Sequence, residues 1–262
     1  MTKAAVFTAN DSPLELMDLN LMDPQAGEVR IALGASGVCH SDISVINGTL
    51  PIAPPAVLGH EGAGTIVAVG EGVTNVKVGD HVVISWVPQC GECYTCSRGQ
   101  GELCETGANA SMFGSMLDFT SRFSMSDGTS VAQMSAAGTF SEETVVPAIS
   151  VVKIPDDVPF QVAALIGCGV LTGFGAAYNT ANIREGDNVV VIGAGGVGLN
   201  TIQGAKYQKA GKIIAIDMMA GKLENAKSVG ATDIIDASQT DAAAAVMRSE
   251  EHTSELQSRF GI

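Results

Sequence analysis

Positive charge is what this chain has least of. Its 262 residues carry 14 Lys and Arg against 28 Asp and Glu, a formal net charge of −14 and a pI near 4.5. Nucleic acid needs a basic footprint, so the composition argues against it as a partner. Proline is also scarce, 9 residues against 31 Gly, and 46% of the chain is hydrophobic. That is a globular composition rather than a disordered or collagenous one. No secretory leader is expected, since Asp11 stands where its apolar stretch would be. An uninterrupted membrane-length apolar run is missing too. The longest uncharged stretch, 158–183, has an apolar part of 17 residues from Val162 to Tyr178, broken by four glycines. A span wants about 20 apolar residues, so a buried core segment is expected, with no membrane association and a cytoplasmic location. Six cysteines without a leader argue against a disulfide framework.

The texture of the chain changes partway along. KAAVF, LELMDL, VRIAL, GTIVAVG and DHVVIS read as short strands broken by turn formers. Before about Val158 the pattern predicts no helix beyond a turn or two after Ser41. Ser111 to Gly138 reads as a long loop with a short hairpin. From Asn188 the pattern becomes β-α-β-α-β. NVVVIG is expected to be a strand buried on both faces, followed by a helix over 196–209, KIIAID, a helix over 221–229 and ATDIID. A β-rich domain is therefore expected first and a parallel α/β unit second, joined near 153–184.

Three groups of residues carry chemistry. Cys90, Cys93, Cys96 and Cys104 follow the pattern Cys-x2-Cys-x2-Cys-x7-Cys. Four thiolates on a tight loop suit closed tetrahedral zinc. An iron–sulfur cluster is the competitor, although bacterial ferredoxins use a shorter last spacing followed by Pro, and spare or redox thiols are a third reading. Gly193-Ala-Gly195-Gly196-Val197-Gly198 matches G-x-G-x-x-G after a strand and before a helix, the context a dinucleotide-binding turn requires. Asp217 ends the next strand, nineteen residues past Gly198. A carboxylate there accepts bonds from a ribose 2′-hydroxyl and favours NAD over NADP. The third group is dispersed. Cys39 lies at the end of the strand VRIALGASGVC, His60 lies between two strands, and Cys168 precedes the dinucleotide unit. Together they offer three ligands and an open fourth position, the catalytic arrangement of zinc; a structural histidine with two unrelated thiols is the alternative.

Cys39-His40-Ser41-Asp42, Gly59-His60-Glu61-x2-Gly64-x5-Gly70, the four-cysteine loop, Gly167-Cys168-Gly169-Val170 and GAGGVG occur in one order across most of the chain. In this the chain resembles the zinc-containing alcohol dehydrogenases of the medium-chain dehydrogenase/reductase superfamily. The resemblance implies an α/β plus β fold. A GroES-like, partly barrel-like catalytic domain (1–152) is followed by a connecting segment with the third ligand (153–184) and the first half of a Rossmann domain (185–247). It implies a catalytic zinc on Cys39, His60 and Cys168 and a structural zinc on Cys90, Cys93, Cys96 and Cys104. It gives Glu61 a place near the catalytic zinc, Asp42 the orienting of His60, and Ser41 the substrate proton. His40 falls to the cofactor pyrophosphate and Lys222 joins Gly193–Gly198 and Asp217 in cofactor binding. Trp86 becomes a wall of the substrate pocket, while His81 is read as structural. The implied reaction is hydride transfer from a primary or aromatic alcohol to NAD, and the implied assembly a homodimer at full length.

Some features depart from that pattern. Relatives that end their proton relay in a His three residues after the hydroxyl have Ser44 matched to it here. The 64 residues from Cys104 to Cys168 suit a long-loop branch, class III- and aryl-alcohol-like, that includes glutathione- and mycothiol-linked formaldehyde dehydrogenases. A thiol-adduct formaldehyde dehydrogenase is thus the alternative enzyme, and a non-catalytic zinc and nucleotide-binding fragment the alternative of another class. Only half of a doubly wound sheet is visible. Arg248 to Ser258, RSEEHTSELQS, resembles a translated sequencing adapter. The expectation is therefore a C-terminally truncated chain with a non-native tail over 248–262, in which His252 and Glu255 are not ligands.

Overall fold

The computed structural model describes residues 1–251 and divides into two compact units, Met1–Cys168 and a second from Gly169 on. The reading of His252 and Glu255, and most of the tail, lies outside the described residues.

The first unit holds β1 (Thr2–Phe7), β2 (Glu15–Leu21), β3 (Glu28–Ser36), β4 (Ala56–Val57), β5 (Gly62–Val69), β6 (His81–Ile84), β7 (Phe123–Ser124), β8 (Ser130–Gln133), β9 (Glu143–Pro147) and β10 (Val151–Lys153). Strands β1-β2-β7-β8-β4 close into a barrel, and β10-β6-β5-β3-β9 form a five-stranded sheet. The runs read as strands are all present. Val29, Ile31, Ile66, Val82, Ile84 and Val146 form one core cluster beneath the sheet. Burying each such side chain contributes about 1.5–3 kcal/mol. Register shifts between Arg30 and Ile31 and between Leu33 and Ala35 bend β3 as it pairs with β5.

Arg122, 1% exposed, stands just before β7. Its Nε donates to Glu28 Oε2 at 2.9 Å, its Nη2 bonds Glu28 Oε1, and Nη2 also donates to Asp118 Oδ2 at 2.8 Å. A buried guanidinium needs such partners, and these tie the 118–122 turn to the start of β3.

Two expectations are corrected here. A helix beyond the turn after Ser41 does occur early: α2 (Glu105–Phe113) follows α1 (His40–Ile46). Its sequence, ETGANASMF, buries only Gly107 and Ala110, so no apolar stripe announces it. Cys104 Sγ accepts the Gly107 N–H at 3.2 Å and supplies its cap. The strand before Cys39 ends at Ser36, and Cys39 is the N-cap of α1. The hairpin expected in 111–138 is β7–β8.

The uncharged stretch forms a helix, Phe160–Thr180, which is long and apolar enough to cross a membrane by length and composition. Within the first unit it is seated on protein. Ala163 and Ala164 pack with Ala63, Val83 and Ile154, and a Cβ on Gly167 would lie 2.3 Å from the Ile84 carbonyl oxygen.

The second unit contains β11 (Asn188–Ile192), β12 (Lys212–Asp217) and β13 (Asp233–Asp236), parallel and in the order β11-β12-β13. Helices Gly196–Tyr207 and Ala220–Val229 connect them, and Ala242–Glu251 follows. This is the expected β-α-β-α-β unit, the start of a Rossmann-like domain. β11 corrects the expectation of two buried faces. It is an edge strand among the described residues, with Val191 buried but Ile192 83% exposed.

Candidate metal centres and dinucleotide turn

The four-cysteine loop is compact. All four Sγ atoms lie within 4.8 Å of one another. Cys104 Sγ is 3.6 Å from Cys90 Sγ and 3.9 Å from Cys93 Sγ. A disulfide needs about 2.05 Å, whereas four sulfurs at about 2.3 Å from a tetrahedral zinc are about 3.8 Å apart. Backbone N–H groups of Cys90, Cys93 and Gly107 donate to sulfur at 3.2–3.3 Å, which favours thiolates. Thr95, whose Oγ1 is 3.3 Å from Cys93 Sγ, leads the groups that pull Cys93 down to about 5. Desolvation and the neighbouring thiols push Cys96 up to about 12. Like charges this close hold one thiol protonated unless a cation joins them, so the donor set fits zinc.

The second group is assembled from distant segments. Cys39, His60, Glu61 and Cys168 bring their ligand atoms within 4.8 Å of one another, with His60, Glu61 and Cys168 buried. Asp42, 1% exposed, organises them. Its Oδ2 accepts the Cys39 N–H at 2.9 Å and its Oδ1 the Gly59 N–H at 3.0 Å. Oδ1 also lies 3.4 Å from His60 Nδ1, near enough for charge but outside hydrogen-bond geometry. One carboxylate thus anchors both ligand-bearing turns and leaves the other ring nitrogen of His60 for a metal. Burial opposes a charge on His60, but Asp42 and Cys168 outweigh it and hold its pKa up to about 10. The group favours a cation, and the residues present fit zinc.

Ser41 stands in the first turn of α1, its Oγ 3.6 Å from Cys39 Sγ. His40 is exposed, with Nδ1 3.4 Å from Ser44 Oγ. Trp86 lies two residues beyond β6 and is 40% exposed. His81 packs its ring 4.6 Å from that of Phe160. Gly37 was not foreseen: a Cβ there would stand 2.0 Å from Glu61 Oε2. Its N–H also donates to the Glu61 carbonyl at 2.8 Å. No motif marks it, because its role is to leave space.

In the second unit, Gly193 adopts φ +91°, a conformation that favours glycine. A Cβ on Gly198 would meet the Gly193 carbonyl oxygen at 1.8 Å, whereas Cβ atoms on Gly195 and Gly196 would meet nothing within 4 Å. Packing thus explains Gly198. The open space over Gly195 and Gly196, at the start of the helix carrying Val197, suits the approach of a pyrophosphate. Asp217 ends β12, and the backbone N–H groups of Ala194 and Met219 hold its carboxyl below the usual range, with Lys222 adding to the effect.

Comparison with known proteins identifies the family. The family described as "Alcohol dehydrogenase GroES-like domain" matches residues 25–156, half of the chain, and "Zinc-binding dehydrogenase" matches residues 196–255. The chain is 45% identical over 241 residues to the alcohol dehydrogenase class-3 of Cereibacter sphaeroides, covering 92% of this chain and 64% of that protein. It is 44% identical over 241 residues to an S-(hydroxymethyl)glutathione dehydrogenase of Photobacterium damsela subsp. piscicida, covering 92% and 65%. Among solved structures, the benzyl alcohol dehydrogenase of Acinetobacter calcoaceticus superposes with a TM-score of 0.87 at 35% identity, covering 95% of this chain and 67% of that one. The acetophenone reductase of Geotrichum candidum, solved in complex with NAD, gives 0.74 at 31% identity, covering 90% and 63%. The chain belongs to the zinc-containing alcohol dehydrogenases of the medium-chain dehydrogenase/reductase superfamily. It spans about two thirds of the length of these relatives.

Proposed function

We propose that a protein of the relatives' full length carrying these residues is a zinc-dependent oxidoreductase. It would transfer hydride between a primary or aromatic alcohol and NAD, and reduce the aldehyde in the reverse direction. The observation that carries this reading is the convergence of Cys39, His60, Glu61 and Cys168 on one point, held by Asp42. Cys39, His60 and Cys168 would hold the catalytic zinc, with Glu61 beside it, and Cys90, Cys93, Cys96 and Cys104 the structural one. When bound, zinc would supply Lewis acidity at the substrate oxygen and NAD the hydride acceptor. Ser41 takes the alcohol proton, and Asp42 fixes the ring of His60. His40 contacts the pyrophosphate, and its hydrogen bond to Ser44 orients the imidazole. Gly193, Gly195, Gly196, Val197 and Gly198 receive the pyrophosphate, and Asp217 with Lys222 the adenosine ribose. The like charge of Asp217 repels a 2′-phosphate, so kcat/KM should favour NAD over NADP. Trp86 narrows the pocket, and Trp86→Ala should raise activity toward larger alcohols; an unchanged profile would return Trp86 to a structural role.

A second substrate reading has its own support. The relatives named as class-3 and S-(hydroxymethyl)glutathione dehydrogenases favour a thiol adduct of formaldehyde at least as well as a free alcohol. The deciding experiment measures NADH formation with benzyl alcohol and short primary alcohols, then with formaldehyde in the presence and absence of glutathione or mycothiol. Turnover with formaldehyde only when the thiol is present selects the adduct. No turnover with any of them leaves a non-catalytic zinc and nucleotide-binding role.

A further inference from the structure

The ladder between β11 and β12 runs to Ile192, which pairs with Ile216, and the Gly193 N–H extends it by donating to the Ile216 carbonyl at 2.8 Å. The next donor, the Ala194 N–H, belongs to a residue 1% exposed. It is taken by a side chain, Asp217 Oδ2, at 2.9 Å. The other oxygen, Oδ1, accepts the Met219 N–H at 3.0 Å, at the turn leaving β12. Both oxygens are therefore committed to backbone within the unit itself. Ala194 immediately precedes Gly195 and Gly196, which, like Gly193, face open space. A buried N–H without an acceptor is costly, so the turn's shape depends on this carboxylate.

We propose that Asp217 is a positioning residue for the Gly193–Gly198 turn, so that it acts on the pyrophosphate half of a bound dinucleotide as well as on the ribose. The proposal rests on the dinucleotide reading above. It has a consequence for altering cofactor preference: small replacements at position 217 that remove the repulsion of a 2′-phosphate also release the Ala194 amide and loosen the turn for every nucleotide. Asn should separate the two roles, because its one side-chain oxygen can still accept the Ala194 N–H, at the expense of the Met219 N–H, while its charge is gone.

The test uses the full chain and begins without nucleotide. Amide hydrogen exchange at Ala194 is compared in the parent, Asp217→Ala and Asp217→Asn. Exchange should rise about tenfold or more in the Ala variant and stay near the parent in the Asn variant. Binding of 2′-deoxy-ADP, which lacks the hydroxyl that Asp217 would recognise, is then measured. It should weaken several-fold in the Ala variant and recover with Asn. If the Ala variant does not fold, Asp217→Glu, which keeps the charge but displaces the carboxylate by a methylene, should show the same faster exchange. Unchanged Ala194 exchange in Asp217→Ala, or in Asp217→Glu where that variant stands in, overturns the proposal. So does an Asn variant that exchanges like Ala, or 2′-deoxy-ADP binding that ignores the substitution while ADP binding falls. Failure of the parent itself to bind any adenine nucleotide counts against the dinucleotide reading, and the exchange result then decides the role of Asp217 alone.

Discussion

The two cysteine-bearing groups are built in opposite ways. Cys90, Cys93, Cys96 and Cys104 come from fifteen consecutive residues, three of them only partly buried, on short turns with almost no apolar core of their own. Cys39, His60, Glu61 and Cys168 come from segments far apart in sequence and meet only because the barrel and sheet have formed. In the first, the ligands take the place of a core, and a metal would supply what packing does not. In the second, the protein shapes the site and a metal would add little to the fold. A set of ligands can thus serve folding or chemistry, and the difference lies in how much structure precedes it.

The largest expected effect tests that contrast directly. Structural zinc in small domains contributes about 10–16 kcal/mol of apparent binding free energy. Cys96→Ala should therefore leave the 90–113 lobe unfolded, lower the yield of folded protein and make the lobe a site of rapid proteolysis. Cys168→Ala should keep the parent's proteolytic pattern and lower zinc content from two per chain to one. Equal loss of fold in both variants would break the distinction, and iron with labile sulfide in the loop would refute zinc there.

A smaller effect is expected at Asp42, which holds the turns of the assembled site and caps α1 but does not touch the four-cysteine loop. Asp42→Asn offers one acceptor where two backbone N–H groups now find partners. Zinc affinity of the Cys39–His60–Cys168 group should fall by about 10–100-fold, the usual cost of losing such a supporting contact. Competition with a chelator should show the four-cysteine loop keeping its metal throughout. Simultaneous loss from both sites would mean that the two are coupled.

The smallest effect concerns the 118–122 turn, which follows the lobe and α2. Burial opposes ionisation of Asp118, but the Arg122 guanidinium and Thr120 outweigh it and hold its carboxyl below the usual range. A depressed folded pKa contributes stability above the unfolded value, near 3.9, and that contribution is lost as pH falls through the folded value. Asp118→Asn should therefore cost less than about 1 kcal/mol at neutral pH, since the side chain is 45% exposed. It should also flatten the fall of Tm below about pH 4, the carboxylate range. An unchanged acid slope would assign that dependence to other carboxylates.

Much of this was legible in the sequence because it is written in local order. Short β-rich runs broken by turn formers marked the first unit, and the strand–glycine turn–helix order marked the second. Cysteine spacing marked the local metal group, while the dispersed ligands became readable only through motifs surrounding each of them. What stayed hidden depends on neighbours. α2 carries too few apolar residues to show a period, and a thiol caps it. NVVVIG reads as fully buried, yet its exposure is set by which strands lie beside it. Gly37 contributes by lacking a methyl group, which leaves no pattern along the chain; Asp42 is legible through its motif, but its bond to the Gly59 N–H, seventeen residues on, is not written there.

The open side of β11 also bears on how the chain behaves in bulk. Ile192 and Val190 present apolar surface beside backbone donors and acceptors that no described strand pairs, and such an edge can template strand addition from another molecule. The formal charge of −14 opposes that encounter through mutual repulsion. Repulsion of this kind reaches only about 8 Å at physiological ionic strength and about 3 Å in molar salt, while the apolar edge is indifferent to dilute electrolyte. Colloidal stability is therefore a balance between a long-range force that salt removes and a short-range one that it leaves in place, and concentrated protein in high salt is where the balance tips toward association.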